Sequence, residues 1–167
     1  MPLPIHEWDK DFIARMMHVL TDELEMDMNS LGSTTFSYSG WLQGLEPDAC
    51  FYIQNAARIT GVRRFDPAVP PPPPDIAVEI DITSESLNRL PTYVNLGVPE
   101  IWRYDGEKLE FLHLAESGYV PSSTSRTFPF LTAADVERFL AMSLNEGQSQ
   151  TLREFRQWVR EQMPKSV

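Results

Sequence analysis

The side chains whose types and spacing could do chemistry are carboxylates. Asp75, Glu79 and Asp81 stand at odd positions in the run DIAVEIDI, with Ala77 between them, while Ile76, Val78, Ile80 and Ile82 take the even ones. In an extended backbone successive side chains point to opposite faces, so the run divides into an apolar side and an acidic side. Three carboxylates on one face repel one another unless water, a basic side chain or a cation neutralises them. Two readings follow: the solvated outer face of an edge strand, or a site for a divalent metal.

Few other residues compete for a chemical role. Cys50 is the single cysteine, which excludes an internal disulfide and a multi-cysteine zinc site and fits a reducing cytoplasm. It lies in the apolar run Ala49 to Ile53 and reads as a packing residue. His18 reads as a surface or half-buried side chain, since it has no acidic or histidine partner at helical spacing. His6 sits in a loop-like setting and is harder to set aside. Neither histidine joins a Ser/His/Asp or Cys/His pattern. Arg58, Arg63 and Arg64 make the most basic patch, as a solvated loop or as a phosphate contact.

The net charge of −10 over 167 residues means that nothing global attracts a polyanion. A nucleic-acid role would need a local basic patch or bound cations. The length fits one domain, residues 1–167, with room for a sizeable core. No apolar stretch approaches membrane-spanning length, and His6, Glu7 and Asp9 break any signal peptide early.

The elements that would position the acids can be read in order. Met1 to Ile5 forms an extended lead-in, followed by a helix from Trp8 to about Glu25–Asp27 carrying Phe12, Met16, Val19, Leu20 and Leu24. Asp9 and Asp11 fall near its positive end. Gly32 to Tyr38 (GSTTFSY) is a strand candidate, and Ala49 to Gln54 a short strand. Five prolines, Pro70 to Pro74, lead stiffly into the acidic strand. Thr83 or Ser84 then caps a helix with an apolar stripe of Leu87, Leu90, Tyr93, Val94 and Leu96, which Pro91 should kink or split and Gly97 should end. Glu100 to Asp105 and Leu109 to Leu114 form a hairpin around Asp105-Gly106, with Gly118 to Val120 as a short third strand. Thr132 caps a helix from Ala133 to about Met142, and a last amphipathic helix runs from about Ser149 to Met163. The order gives an α/β (α+β) fold around one sheet.

Three pieces of this sequence carry a family resemblance: GLEPDACFYIQN (Gly44 to Asn55), PPPDIAVEIDITSESLNRLPTYVNLGVPEIWRYDG (Pro72 to Gly106) and FPFLT (Phe128 to Thr132). With them, Leu45 to Leu131 resembles the Uma-type restriction endonuclease family, a branch of the PD-(D/E)XK nuclease superfamily. GVPEIW after a helix containing Tyr93 is the most specific of the shared features.

The resemblance implies a restriction-endonuclease-like core, a central mixed β-sheet flanked by helices, in which strand carboxylates hold Mg²⁺ or Mn²⁺ and DNA is the substrate. On the matching positions Asp48 and Glu79 are the metal-binding acids. The family's lysine, four residues before Tyr93, is here Arg89, which keeps a positive charge but does not readily give up a proton. In the wider superfamily the basic residue follows the acid by two, and Asp81 stands there instead. Asp75 is either a third acid or only the residue that opens the strand, and the second reading is preferred. The resemblance further implies an N-terminal hairpin ahead of the MPLP segment, for which this sequence offers no match. An uncovered sheet edge would then be relieved in a homodimer. A catalytically decayed relative that acts as a binding or assembly module is the competing function.

Overall fold

The acidic run forms the centre of a sheet and not its edge. In a computed structural model, which describes residues 2–83 and 85–165, β3 (Ile76–Ile80) is buried at every position. It lies between β2 (Ala49–Tyr52), antiparallel, and β4 (Glu100–Tyr104), parallel. The solvated-edge reading is therefore overturned. The alternation stops at Ile80, and Ile82, beyond the strand, is exposed.

Among the described residues the sheet has six strands in chain order. β1 (Asn29–Ser30) pairs with β2, and β5 (Leu109–Ala115) and β6 (Gly118–Ser122) extend it antiparallel beyond β4. The one parallel pair needs a crossover. A 3₁₀ turn (Glu85–Arg89) followed by α3 (Leu90–Leu96) supplies it.

Pro91 explains the broken crossover helix. A proline is tolerated in the first turn of an α-helix, where its missing N–H leaves no bond unmade, so α3 begins beside it and the preceding residues wind as 3₁₀. Gly97 ends α3 in the left-handed region at φ +80°, where a side chain would be strained, and donates its N–H to the Tyr93 carbonyl at 2.9 Å. Of the expected stripe, Tyr93 and Leu96 are buried, whereas Leu87 and Val94 are exposed. Ser84, one of the two expected caps, lies outside the described residues.

Two cores flank the sheet. On one face Ile76, Val78, Ile80, Phe51 and Trp102 pack against α1 (Pro4–Glu23), α4 (Ala133–Glu146) and α5 (Gln148–Gln162). Phe12, Met16, Phe139 and Phe155 carry the helical side. On the other face Cys50, Tyr52, Ala77 and Ile101 meet Tyr93, Leu96, Phe36 and Leu45, with Ile59 of the short α2 (Ala56–Ile59). Thr132 caps α4 in a reciprocal box with Asp135.

Three local expectations are corrected. The first helix begins at Pro4 and not Trp8, because Pro4 occupies its first turn. Asp9 consequently lies inside the helix and is buried. Residues 32–38 contribute a single antiparallel bridge, Phe36 to Leu45, and no strand.

Candidate active site

The β2–β3 register sets Ala49 against Val78 and Cys50 against Ala77. Continued by one residue, it sets Asp48 against Glu79. Period-two alternation turns both side chains to the face that carries Cys50 and Ala77. The two acids, 31 positions apart in sequence, thus become cross-strand neighbours. Asp48 Oδ2 accepts the Ile80 N–H at 2.7 Å, which fixes it at the mouth of β2. Its side chain is 24% exposed, and that of Glu79 is 1% exposed.

Glu79 is held from the crossover. Arg89, at the end of the 3₁₀ turn, donates from Nη2 to Glu79 Oε2 at 2.7 Å and from Nη1 to the Glu46 carbonyl at 3.1 Å. Tyr93, four residues on, donates its hydroxyl to Glu79 Oε1. Spacing of four keeps both side chains on one side of the helical backbone. Burial pushes the Glu79 carboxyl up to about 7, the Tyr93 hydrogen bond and the Arg89 charge pull it down, and Asp48 and Asp81 add to the rise. The Tyr93 hydroxyl is itself pushed up, first by burial and then by Glu79.

The other two acids of the run do different work. Asp75 Oδ2 accepts the N–H groups of Ile53 and Asn55 at 2.6 and 3.0 Å, tying the start of β3 to the chain leaving β2. Its role is to open the strand. Asp81 Oδ2 accepts from Arg103 Nε at 2.9 Å, from the Ser86 N–H at 3.2 Å and from the Ser86 hydroxyl. Burial raises the Asp81 carboxyl, but the Ser86 and Arg103 hydrogen bonds outweigh it and hold it below the usual carboxylate range. Thus the charge at 81 is neutralised from β4.

A cleft of about 330 Å³ opens in front of these groups, lined among others by Asp48, Asp81 and Arg89 and by Pro2, Leu3 and His6. His6 lies in the first turn of α1, with Nε2 3.5 Å from Asp48 Oδ2 and Nδ1 3.2 Å from Glu7 Oε1. Nothing local in the sequence joins His6 to Asp48, since the contact exists only once α1 has packed across the sheet. The Glu79 contact of Tyr93 was equally hidden, because its spacing marks it as a packing residue. Cys50 is buried and free, and burial pushes its thiol up to about 12, as suits a packing role.

Among the described residues no group of three or more His, Cys, Asp or Glu side chains could hold a metal ion. The donor chemistry nevertheless fits a hard cation, sparsely held. Mg²⁺ is commonly bound through one or two carboxylates, with water and substrate phosphate completing the shell. Asp48 and Glu79 are two such carboxylates on one face.

Residues 1–147 match a family model described as Uma2, Putative restriction endonuclease. No curated protein matches the chain. Among solved structures, the chain is similar to a putative nuclease belonging to DUF820 from Anabaena variabilis, with a TM-score of 0.57, 12% identity and 84% of each chain covered. At that identity the likeness shows the fold.

Proposed function

As the chain belongs to the Uma2 family, described as putative restriction endonucleases, we propose that it hydrolyses DNA phosphodiester bonds with a bound Mg²⁺ or Mn²⁺. Family and fold support a nuclease function. The observation that carries the finer reading is the pairing of Asp48 with Glu79 across neighbouring strands, Asp48 lining the cleft and Glu79 held behind the cleft-lining Arg89.

Asp48 and Glu79 are the metal-holding acids of this reading. A cation bound there supplies Lewis acidity to the scissile phosphate and to the attacking water. The chain's own groups do the rest. The Ile80 N–H orients Asp48, and Tyr93 with Arg89 fixes the rotamer of Glu79. Arg89, 41% exposed, places a permanent positive charge beside the position of the phosphate. It stabilises charge and moves no proton.

One observation favours a second reading, that of a binding or assembly module without catalysis. Both Glu79 oxygens already have donors, and one of those donors is a guanidinium standing where a cation would be expected. Plasmid nicking with Mg²⁺ or Mn²⁺ separates the two, with Asp48→Ala and Glu79→Ala run alongside. Nicking by the wild type that both substitutions abolish supports the nuclease, and equal behaviour of all three sinks the assignment. A homodimer in a reducing cytoplasm completes the proposal. It would bring two clefts to the two strands of a duplex, and the reduced, buried Cys50 suits that compartment. No described helix is long and apolar enough to cross a membrane.

A further inference from the structure

The chain carries 24 acidic and 14 basic side chains, so carboxylates are in surplus. Most of the cations have taken one: Lys10, Arg15, Arg89, Arg103, Lys108, Arg138, Arg156 and Arg160 all stand in ion pairs. Of the others, Arg63 and Arg64 are the two that stand next to each other. They are exposed, and no described residue gives either of them an ion pair or a hydrogen bond. Two unneutralised guanidinium groups lining one cavity attract an anion.

The wall opposite them fits such an anion. Arg63 and Arg64 line a cavity of about 420 Å³ together with Thr34, Thr35 and Ser37. Guanidinium forks and hydroxyls are the donor set that holds phosphate oxygens at nucleic-acid interfaces. The cavity is braced from behind, because Phe65, next to Arg64, stacks on Phe36 with ring centroids 5.5 Å apart. Phe36 in turn bridges to Leu45 through backbone hydrogen bonds of 2.7 and 2.8 Å. The nearest acid in sequence, Asp66, turns its carboxylate to the Ala68 N–H at 2.9 Å.

Hydrogen bonds to Glu46 link a residue of the cavity to a residue of the cleft. Thr35 donates its hydroxyl to Glu46 Oε2 at 2.9 Å, and the carbonyl of the same Glu46 accepts from Arg89 at 3.1 Å. One residue therefore separates the hydroxyl side of the cavity from the guanidinium beside Glu79. We propose that the cavity between Arg63, Arg64 and the hydroxyls of Thr34 and Ser37 binds a backbone phosphate of the DNA strand that enters the cleft at Asp48. This subsite rests on the nuclease reading. It also shows how an acidic protein can hold a polyanion, through a local patch that its own carboxylates leave unpaired.

The test measures binding and needs no cleavage. A fluorescently labelled DNA duplex is titrated with the full chain in EDTA across a salt series, for the wild type, for Arg63→Gln/Arg64→Gln and for a control pair, Arg153→Gln/Lys165→Gln. The control loses the same net charge elsewhere. Each lost phosphate contact makes the plot of log K against log salt shallower by about one, and because Arg63 and Arg64 share one phosphate the first pair is expected to flatten it by about one. Affinity at low salt should fall by at least about tenfold, and the control should change little. Equal slopes for wild type and first pair overturn the subsite, as does an equal loss in the control. Inorganic phosphate is titrated in parallel by thermal shift. Stabilisation of the wild type alone, without any difference in DNA binding, would assign the cavity to a free anion and overturn the strand assignment. Nicking in Mg²⁺ or Mn²⁺ with no difference in slope removes the subsite alone. A slope difference without nicking removes the nuclease reading and leaves the phosphate contact standing.

Discussion

Arg89 stands 2.7 Å from Glu79, and the two differ sharply in exposure: the guanidinium is 41% exposed and the carboxylate 1%. The pair is thus a buried carboxyl whose partner faces the cleft. In the proposed nuclease a phosphate arriving there would meet the guanidinium first. Because the Nη1 side of the fork is tied to the Glu46 carbonyl, the group is set in place before any substrate binds.

For the proposed nuclease, Arg89→Ala is expected to lower the rate of plasmid nicking by about 10²-fold, the loss seen when one preorganised charge donor is removed from a reacting centre. Arg89→Lys keeps the charge, though not the fork, and should recover activity to within about tenfold of the wild type. Nicking rates in Mg²⁺ for the three proteins check this. A lysine variant as inactive as the alanine would show that the second bond to Glu46 matters more than the charge.

Asp9 governs a pH dependence that does not involve the cleft. It is buried in α1 with Oδ1 lacking a hydrogen-bond partner, and burial raises its carboxyl to about 6, with the His6 charge pulling the other way. The folded state therefore binds a proton that the unfolded chain has released between about pH 4 and 6. Stability is undiminished below that window, falls as pH rises through it, and carries the full cost above about 6. Asp9→Asn should raise stability at pH 7.5 by roughly 1–2 kcal/mol, allowing for partial screening, and by little at pH 4. Urea denaturation at the two pH values reads the difference.

The Asp81–Arg103 pair acts in the opposite sense. Arg103 is held by Asp81 at 2.9 Å and by Glu110 at 3.0 Å, on neighbouring strands. Removing it leaves Asp81 buried with only Ser86, so Arg103→Ala is expected to cost about 3 kcal/mol in chemical denaturation at pH 7. Since the Asp81 carboxyl is held below its ordinary value, the stabilisation it provides is present above about pH 4 and is lost as pH falls through the lowered value. The alanine variant should accordingly lose less stability on acidification than the wild type.

The legibility of this fold depended on how far apart the interacting residues stand. β3 could be read from its alternation, and the hairpin from Asp105-Gly106 between two apolar runs. What alternation could not say was which face met water. The groups that neutralise Glu79 and Asp81 lie 10 and 22 residues away, on the crossover and on β4. Without them, a row of acids reads as a wet surface. Asp48 and Glu79 were brought together by likeness to a family and not by local pattern, because their register depends on pairing across a long connection. The GVPEIW motif was recognisable before its reason was. Glu100 is fully buried and accepts from Trp102, from the backbone of Arg126 and Thr127 and from the Thr127 hydroxyl, pinning a distant loop to β4. Residues 32–38 misled because threonines and aromatics suit strands in general, yet among them only Phe36 forms a β-bridge.

Pro2 and Leu3 form part of the rim through which a substrate would reach Asp48. A purification handle fused ahead of them would overhang that opening, and a polyhistidine handle would also carry imidazoles that compete for the assay metal. Recombinant protein meant for nicking or titration work should bear its handle at the opposite terminus.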